Sequence, residues 1–394
     1  MSKLTIKQVY RKGNQLICNY VLDGDVHGLY AKVEDEYSSF LTEDRADGFF
    51  VICAYKCIKE GWDLESEVPV STRLLYQVQH YMKNVYSETF EQKQSNIKAP
   101  FIDKVLPSAG GVGTGITCGV DSLYTIATHC NIDNMQCLPL YNITHLVLLN
   151  VGSHDIGVED AESLYSNRIE LGRSFCKEYG FNFVNIDTNF KDFLSYDYTE
   201  YHGIVNGSTI LLLQKLFKIY YSSSSYKISE FKLNRYDVSQ FELFNLAVLS
   251  TDNTIFYTTG GDISRYEKVR LLSKWKPSYN YLNVCNAHNY NCSRVDCVKC
   301  CRTIIELDVL NALDNYNNVF DIDKYEKNKY EYLAELYARK VLRHDHYAIE
   351  LWDDLKKKYN IPFNYKLKAI VRFIRKRLKI YSFKQIRTLI KLSK

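Results

Sequence analysis

Residues 110–122 read GGVGTGITCGVDS, and the run that follows places Leu123, Tyr124, Ile126 and Ala127 at helical spacing. Small residues ending on Asp121 and Ser122, ahead of an apolar-periodic segment, predict a strand, a loop and a helix. That is the local grammar of a site that cradles phosphate on backbone N–H groups at a helix start. Two common versions of it do not fit. A Walker A loop ends in Gly-Lys-Ser/Thr, and no lysine occurs between Lys104 and Lys177. Gly111, Gly113 and Gly115 have the wrong spacing for a GxGxxG dinucleotide fingerprint. An ordinary glycine-containing turn capped by Asp121 or Ser122 is the alternative left open.

The flanking sequence supplies the frame. Ile143–Val151 reads as an apolar strand, Ala161–Tyr179 as a helix, Asn182–Ile186 as a strand, Ser208–Tyr220 as a helix and Asn253–Thr258 as another strand. Strands separated by helix-length segments predict βαβ units on a parallel sheet. Residues 1–42 hold short alternating runs with Gly13 and Asn14 where a hairpin would turn, so a small antiparallel module is expected there. Two packed helices are expected over 44–86, a polar linker over 87–97, and a helical pattern from Arg302 onward.

Composition narrows the class. The chain has 394 residues, 46% hydrophobic and 24% charged, which excludes wholesale disorder and collagen-like repeats and is long enough for two or three domains. No apolar run approaches the ~18 residues of a membrane span. Met1–Gly13 alternates charged and apolar residues without the apolar centre of a secretory signal, so a cytoplasmic location is expected. The net charge of +4 is uneven: Lys366–Lys394 carries eleven Lys and Arg and no Asp or Glu, so that tail's +11 against +4 overall leaves −7 on the preceding 365 residues. The tail interleaves its cations with Leu367, Ile370, Val371, Phe373 and Ile374. It is read either as a helical pair packing on the body or as a contact for RNA, anionic lipid or an acidic partner.

Twelve cysteines without an export signal are expected to be thiols. Four of them, Cys285, Cys292, Cys297 and Cys300, follow the spacing Cx6C, Cx4C and CxxC, and four soft ligands can close a tetrahedral zinc site. The alternative is burial as small hydrophobes, the reading for Cys18, Cys53, Cys57, Cys130 and Cys137. Cys301 is a spare thiol, and His288 is an alternative ligand to Cys285.

Thr117-Cys118-Gly119-Val120-Asp121-Ser122 resembles the SGGxDS loop of the PP-loop, or N-type, ATP pyrophosphatases, with Thr117 in place of Ser and Cys118 in place of Gly. The resemblance implies that these six residues hold the pyrophosphate of ATP, that Asp121 belongs to the Mg2+ and phosphate arrangement, and that Asp121 and Ser122 are catalytic. Together with the downstream cysteines, it extends to the 7-cyano-7-deazaguanine synthase branch, which converts a carboxylate to a nitrile with ATP and ammonia. The run from Asn291-Cys292 to Cys300-Cys301-Arg302-Thr303 is more similar to relatives carrying NCGxCxKCxRT behind an N-terminal extension, with Ser293 in place of the glycine. Pro69-Val70-Ser71 with Leu74, Asp187-Thr188-Asn189 and Leu249-Ser250-Thr251 share that likeness, which covers about residues 45–310.

The expected fold is therefore α/β: a β-hairpin and helical extension at 1–100, a parallel-sheet PP-loop domain with a zinc knot at 101–305, and a helical region with a basic tail at 306–394. Asn150 and Gly152, at the carboxyl end of a predicted strand, are candidates for adenine or ribose. His154 is a candidate acid or base, Arg168, Lys268, Arg270 and Lys274 are candidate phosphate cations, and His202 is a candidate substrate contact. The expected function is ATP-dependent, AMP-forming adenylation of a carbonyl or carboxylate on a small-molecule or peptide acceptor, followed by attack of a nitrogen nucleophile. Its cofactors are ATP, Mg2+ and Zn2+. Sulfur transfer through Cys118 or Cys301 is the alternative chemistry, a non-catalytic nucleotide-binding interaction protein is the rival class, and a homodimer is a further expectation.

Overall fold

Gly13 and Asn14 close a two-residue turn between β1 (Lys3–Lys12) and β2 (Gln15–Leu22), the hairpin expected from the alternating pattern. A second turn at Asp23 and Gly24, both at positive φ, leads into β3 (Asp25–Val33). The computed structural model describes residues 2–130, 138–153 and 161–375 and comprises two compact units, Met1–Ser264 and Arg265–Lys394. His154, Cys137 and residues 376–394 of the basic tail lie outside the described residues. No helix among those described is long and apolar enough to cross a membrane.

In the first unit, α1 (Asp47–Glu60), β4 (Asp63–Ser66), β5 (Val70–Ser71), α2 (Thr72–Gln77) and α3 (Lys83–Phe90) follow the hairpin region. Then come β6 (Ile97–Lys98), β7 (Phe101–Ile102), β8 (Gly111–Gly115), α4 (Val120–Thr128), β9 (His145–Asn150), α5 (Ala161–Tyr179) and β10 (Asn182–Thr188). The unit closes with α6 (Phe190–Leu194), α7 (His202–Leu211), β11 (Phe217–Ser223), α8 (Glu242–Leu249) and β12 (Ile255–Thr259). Ten strands form one sheet in the order β12-β11-β8-β9-β10-β3-β2-β1-β4-β6. It is largely parallel: the antiparallel pairings among the described residues are β1 with β2, β2 with β3 and β3 with β10. The N-terminal strands thus extend the central sheet through the pair Val33 and Ile186.

Successive side chains of a strand face opposite ways, and the central parallel strands of this sheet are covered on both faces. Val147, Val184, Tyr220 and Phe256 join the core that includes Phe49 of α1, Leu211 of α7 and Leu249 of α8. On the other face Phe183 packs against Gly172 of α5, and Ser223 bonds to Thr125 of α4 at 2.8 Å. The expected helix over Ser208–Tyr220 is corrected. Helix α7 ends at Leu211, and Phe217–Ser223 is a central strand. Ile210, Leu211, Leu213 and Phe217 are all fully buried, so the apolar run carries no period that separates helix from strand.

The second unit is helical, with α9 (Arg265–Leu272), α10 (Pro277–Tyr281), α11 (Val298–Val309), α12 (Ile322–Arg343) and α13 (His346–Lys358). Asp345 caps α13 by accepting the N–H groups of Tyr347 and Ala348. The first part of the basic tail belongs to a helix over 363–375, in which Ala369 is buried and Arg372 donates to Glu335 at 2.8 Å. That portion of the tail packs on its own unit.

Candidate functional sites

Strand β8 is the centre of the parallel part of the sheet. The chain runs from β8 outward to β9 and β10 on one side, then returns to β11 and β12 on the other. Relabelled from β8, the five strands have the order 3-2-1-4-5, and the strand order reverses beside β8. In open α/β sheets a ligand crevice lies outside the carboxyl ends of the strands at such a reversal. The residues that fill this position are Ile116–Gly119, the connection from β8 to α4.

Two of the glycines that drew attention to this stretch serve packing. A Cβ on Gly113 would stand 2.6 Å from the Phe217 ring, and one on Gly111 would stand 2.8 Å from the Leu216 carbonyl. The loop itself is built by short polar side chains. Thr117 Oγ1 and Ser122 Oγ are hydrogen-bonded at 3.1 Å, the Ser122 hydroxyl lies 3.2 Å from the Gly119 carbonyl oxygen as its donor, and Gly119 N–H donates to Thr117 Oγ1 at 3.4 Å. Gly119 makes no side-chain cap, so the start of α4 is left to its backbone N–H groups, with Asp121 in the first turn. Thr117 is exposed, Gly119 and Asp121 are half-buried, and Val120 and Ser122 are buried.

Cys118 adopts φ +56°, a left-handed conformation that suits glycine, and turns its thiol inward to 1% exposure. Burial pushes that thiol up to about 12, against the opposing pull of the Arg168 guanidinium. Arg168, itself buried on α5, donates from Nη1 to the Thr117 carbonyl at 3.3 Å and so fixes the loop while bringing positive charge to it.

On the neighbouring strands Asn150 Nδ2 donates to Asp187 Oδ1 at 2.7 Å, and Thr188 Oγ1 donates to the Asn150 carbonyl at 3.0 Å. Gly152, at φ +104°, is required where it stands, because a Cβ there would lie 2.6 Å from the Tyr201 hydroxyl. Thr117–Ser122, Asn150 and Gly152 therefore all stand at the carboxyl ends of adjacent parallel strands. The other segments of the family likeness are structural. Asp47, buried in α1, accepts Ser71 N–H at 2.8 Å and Gln214 Nε2 at 2.8 Å, while Thr251 donates to Gln214 Oε1 at 2.7 Å. Asn189 ties the sheet to β3 through Gly28 and Tyr30.

His202 begins α7 and belongs to a polar group that sequence reasoning missed. Its Nδ1 lies 3.2 Å from Ser239 Oγ, which donates to Asp237 Oδ1 at 2.7 Å, and Tyr226 donates to Asp237 Oδ2 at 2.7 Å. Buried Glu242 accepts the hydroxyls of Ser222 at 2.6 Å and Thr258 at 3.0 Å. The contributing residues are far apart in sequence, and only the singled-out His202 signalled them.

Burial pushes the imidazoles of His129, His145 and His202 below their ordinary value. Each stays neutral in the folded chain at a pH where the unfolded chain has already taken up a proton. Their contribution to stability is complete above about 6.5 and is lost as pH falls through the depressed values. The thermal midpoint should fall between pH 7 and 5 and fall less in His145→Asn. Equal drops in the two proteins would contradict this assignment.

The second unit contains the candidate metal centre. Cys285 and Cys292 both lie in the loop between α10 and α11, Cys297 at the start of α11 and Cys300 in its first turn. Their four sulfurs all lie within 4.8 Å of one another, and Cys292 Sγ and Cys300 Sγ are 3.7 Å apart. Tetrahedral Zn–S bonds of ~2.3 Å imply edges of about 3.8 Å, so the donor set fits zinc. Hydrogen bonds within the cluster, from Cys292 first, draw the Cys285 thiol far below its ordinary value, while those to Cys285, Cys292 and Cys297 push Cys300 far above.

The loop is pinned from outside the ligands. Asn291 Nδ2 donates to the Leu282 carbonyl at 2.8 Å and the Val319 carbonyl at 3.0 Å. Ser293, at φ +43°, accepts Asp321 N–H at 3.0 Å on its hydroxyl and the Tyr332 hydroxyl on its carbonyl. The stretched Cx4C spacing is occupied by an exposed ion pair between Arg294 and Asp296 at 3.0 Å. His288 is exposed and outside the cluster. Cys301 faces the Tyr332 carbonyl at 3.8 Å, and burial pushes its thiol up to about 12. Lys268, Arg270 and Lys274 lie in this unit, where Arg270 pairs with Asp354 at 3.3 Å.

No protein-family model, curated protein or solved structure matches the chain.

Proposed function

We propose that this chain is an AMP-forming ligase or synthase of the PP-loop type, which adenylates a carbonyl or carboxylate of its acceptor, releases pyrophosphate and lets a nitrogen nucleophile displace AMP. The observation that carries the reading is the position of Thr117–Ser122, a hydroxyl-rich loop opening a helix at the carboxyl end of the strand beside which the sheet order reverses. A second observation supports the likeness to PP-loop proteins with a zinc segment. Its two departures from glycine, Cys118 and Ser293, both keep positive φ, at +56° and +43°.

In this reading the N–H groups at the start of α4 and the Thr117 and Ser122 hydroxyls bind the β- and γ-phosphates, and Asp121 holds Mg2+ against them. ATP supplies the activated phosphoryl group that turns an acceptor oxygen into a leaving group. Arg168 positions the loop and adds charge favourable to phosphate. Asn150 and Gly152 border the nucleoside side. Zinc at Cys285, Cys292, Cys297 and Cys300 is structural, because four thiolates leave no open position. Nitrogen chemistry is favoured over sulfur transfer because Cys118 and Cys301 are both about 1% exposed, with thiols pushed up to about 12.

The test is pyrophosphate release from MgATP by the full chain against fractionated metabolite, peptide and RNA pools, where an active fraction should yield AMP and pyrophosphate in equal amounts. Cys118→Gly gives a second test. Relief of a left-handed non-glycine residue, worth ~1–2 kcal/mol, offsets the lost burial of a thiol, worth about 1 kcal/mol. Stability should change little and pyrophosphate release should be kept or improved. Retained adenylation with abolished product transfer would instead make Cys118 a sulfur carrier.

A further inference from the structure

The helix over 363–375 has two unlike faces. One packs on its own unit: Ala369 is buried, the Tyr365 ring lies 5.6 Å from that of Tyr330 on α12, and Arg372 donates to Glu335 at 2.8 Å. The opposite face carries Phe363, Leu367, Val371 and Ile374, whose spacing of four, four and three residues aligns them along one side of a helix. They are 77%, 50%, 38% and 44% exposed. A single exposed apolar side chain is ordinary, but a continuous row marks a surface that something covers.

Cations edge the row. By helical spacing Lys366 stands on one side of it, and Lys368 and Arg375, both exposed, stand on the other. Arg372 directs its charge inward to Glu335, whereas Lys368 and Arg375 carry theirs at the rim. No Asp or Glu follows Asp354 in the sequence, and residues 376–394, outside the described residues, hold seven of the tail's eleven Lys and Arg. The occupant must therefore be apolar at its centre and anionic around it. A second copy of this chain brings the same positive charge and is repelled. RNA matches the charge and leaves Phe363 and Leu367 in water. An anionic bilayer matches both, because the stems of lysine and arginine lie along an inserted apolar face while their charged ends reach the headgroups.

We propose that the outer face of this helix docks the protein on an anionic lipid surface, with Phe363, Leu367, Val371 and Ile374 entering the acyl boundary and Lys366, Lys368 and Arg375 set against the headgroups.

The experiment sediments the zinc-loaded full chain with vesicles of equal parts phosphatidylserine and phosphatidylcholine, and with vesicles of phosphatidylcholine alone. Binding to the mixed vesicles should be at least ~tenfold tighter and should weaken as salt rises. Phe363→Gln combined with Leu367→Gln keeps every charge and should weaken that binding at least ~tenfold. Should the double variant fail to fold, Phe363→Trp carries the test. Its added fluorescence should shift to the blue on the mixed vesicles and be quenched by lipids brominated in their acyl chains. Absence of binding to the mixed vesicles, equal binding to phosphatidylcholine alone, indifference to the folded double variant, or a tryptophan that brominated lipid does not quench overturns the proposal. Polyuridylate or polyglutamate bound more tightly than the mixed vesicles, by wild type and double variant alike, also overturns it and makes the partner RNA or an acidic protein.

Discussion

Replacing Asp121 with alanine should reduce pyrophosphate release by at least ~10³-fold, the scale on which losing a charge-stabilising group in a preorganised site is felt. The fold should survive. Asp121 is half-buried in the first turn of α4, not in the core, and alanine is a strong helix former. The lost favourable charge at the helix start costs ~0.3–1 kcal/mol. Ser122→Ala should act differently, because that hydroxyl holds Thr117 at 3.1 Å and the Gly119 carbonyl at 3.2 Å. It should weaken nucleotide binding about tenfold, the effect of ~1.4 kcal/mol. Steady-state pyrophosphate assays beside thermal melts check both. An Asp121→Ala protein of undiminished turnover would remove Asp121 from the chemistry.

The second large effect is expected at the cysteine cluster. Cys300→Ser should release the bound metal and lower the stability of the second unit by several kcal/mol. Zinc binding to such sites is worth ~10–16 kcal/mol in small peptides, and part of that sum survives here because helices such as α11 and α12 hold their own buried core. Cys300 is fully buried at the start of α11, and its sulfur is 3.7 Å from Cys292 Sγ. Its loss therefore opens both the cluster and the helix start. A chelator should reproduce the effect on wild-type protein. Metal analysis returning one zinc per wild-type chain and none in the variant, with faster proteolysis within 265–375, is the expected result. Four titratable thiols and no zinc in wild-type protein purified without chelator would contradict it.

Both candidate sites were legible in part, and the limits have physical causes. The spacing of Cys285, Cys292, Cys297 and Cys300 pointed to one cluster because metal ligands are few in kind and close in sequence. The residues that pin that cluster, Asn291, Ser293 and Tyr332, act through backbone groups that no spacing reveals. The loop after β8 was marked by its small polar residues. Gly111 and Gly113, whose spacing fits no dinucleotide fingerprint, are demanded instead by the Leu216 carbonyl and the Phe217 ring. That demand exists only once β8 and β11 pair, and β11 was hidden in an unbroken apolar run. Likewise, the pairing of Val33 with Ile186 joins the N-terminal hairpin to the central sheet across a separation that local pattern does not encode. Glu242 looked like an ordinary helix residue until Ser222 and Thr258 came together around it.

The central claim is that Thr117–Ser122 is a nucleotide loop, and its most direct test is a calorimetric titration of the zinc-loaded full chain with MgATP to millimolar concentration. The account predicts one saturable site per chain that is weakened about tenfold in Ser122→Ala. No heat of binding at millimolar nucleotide, or binding indifferent to Ser122, would contradict it.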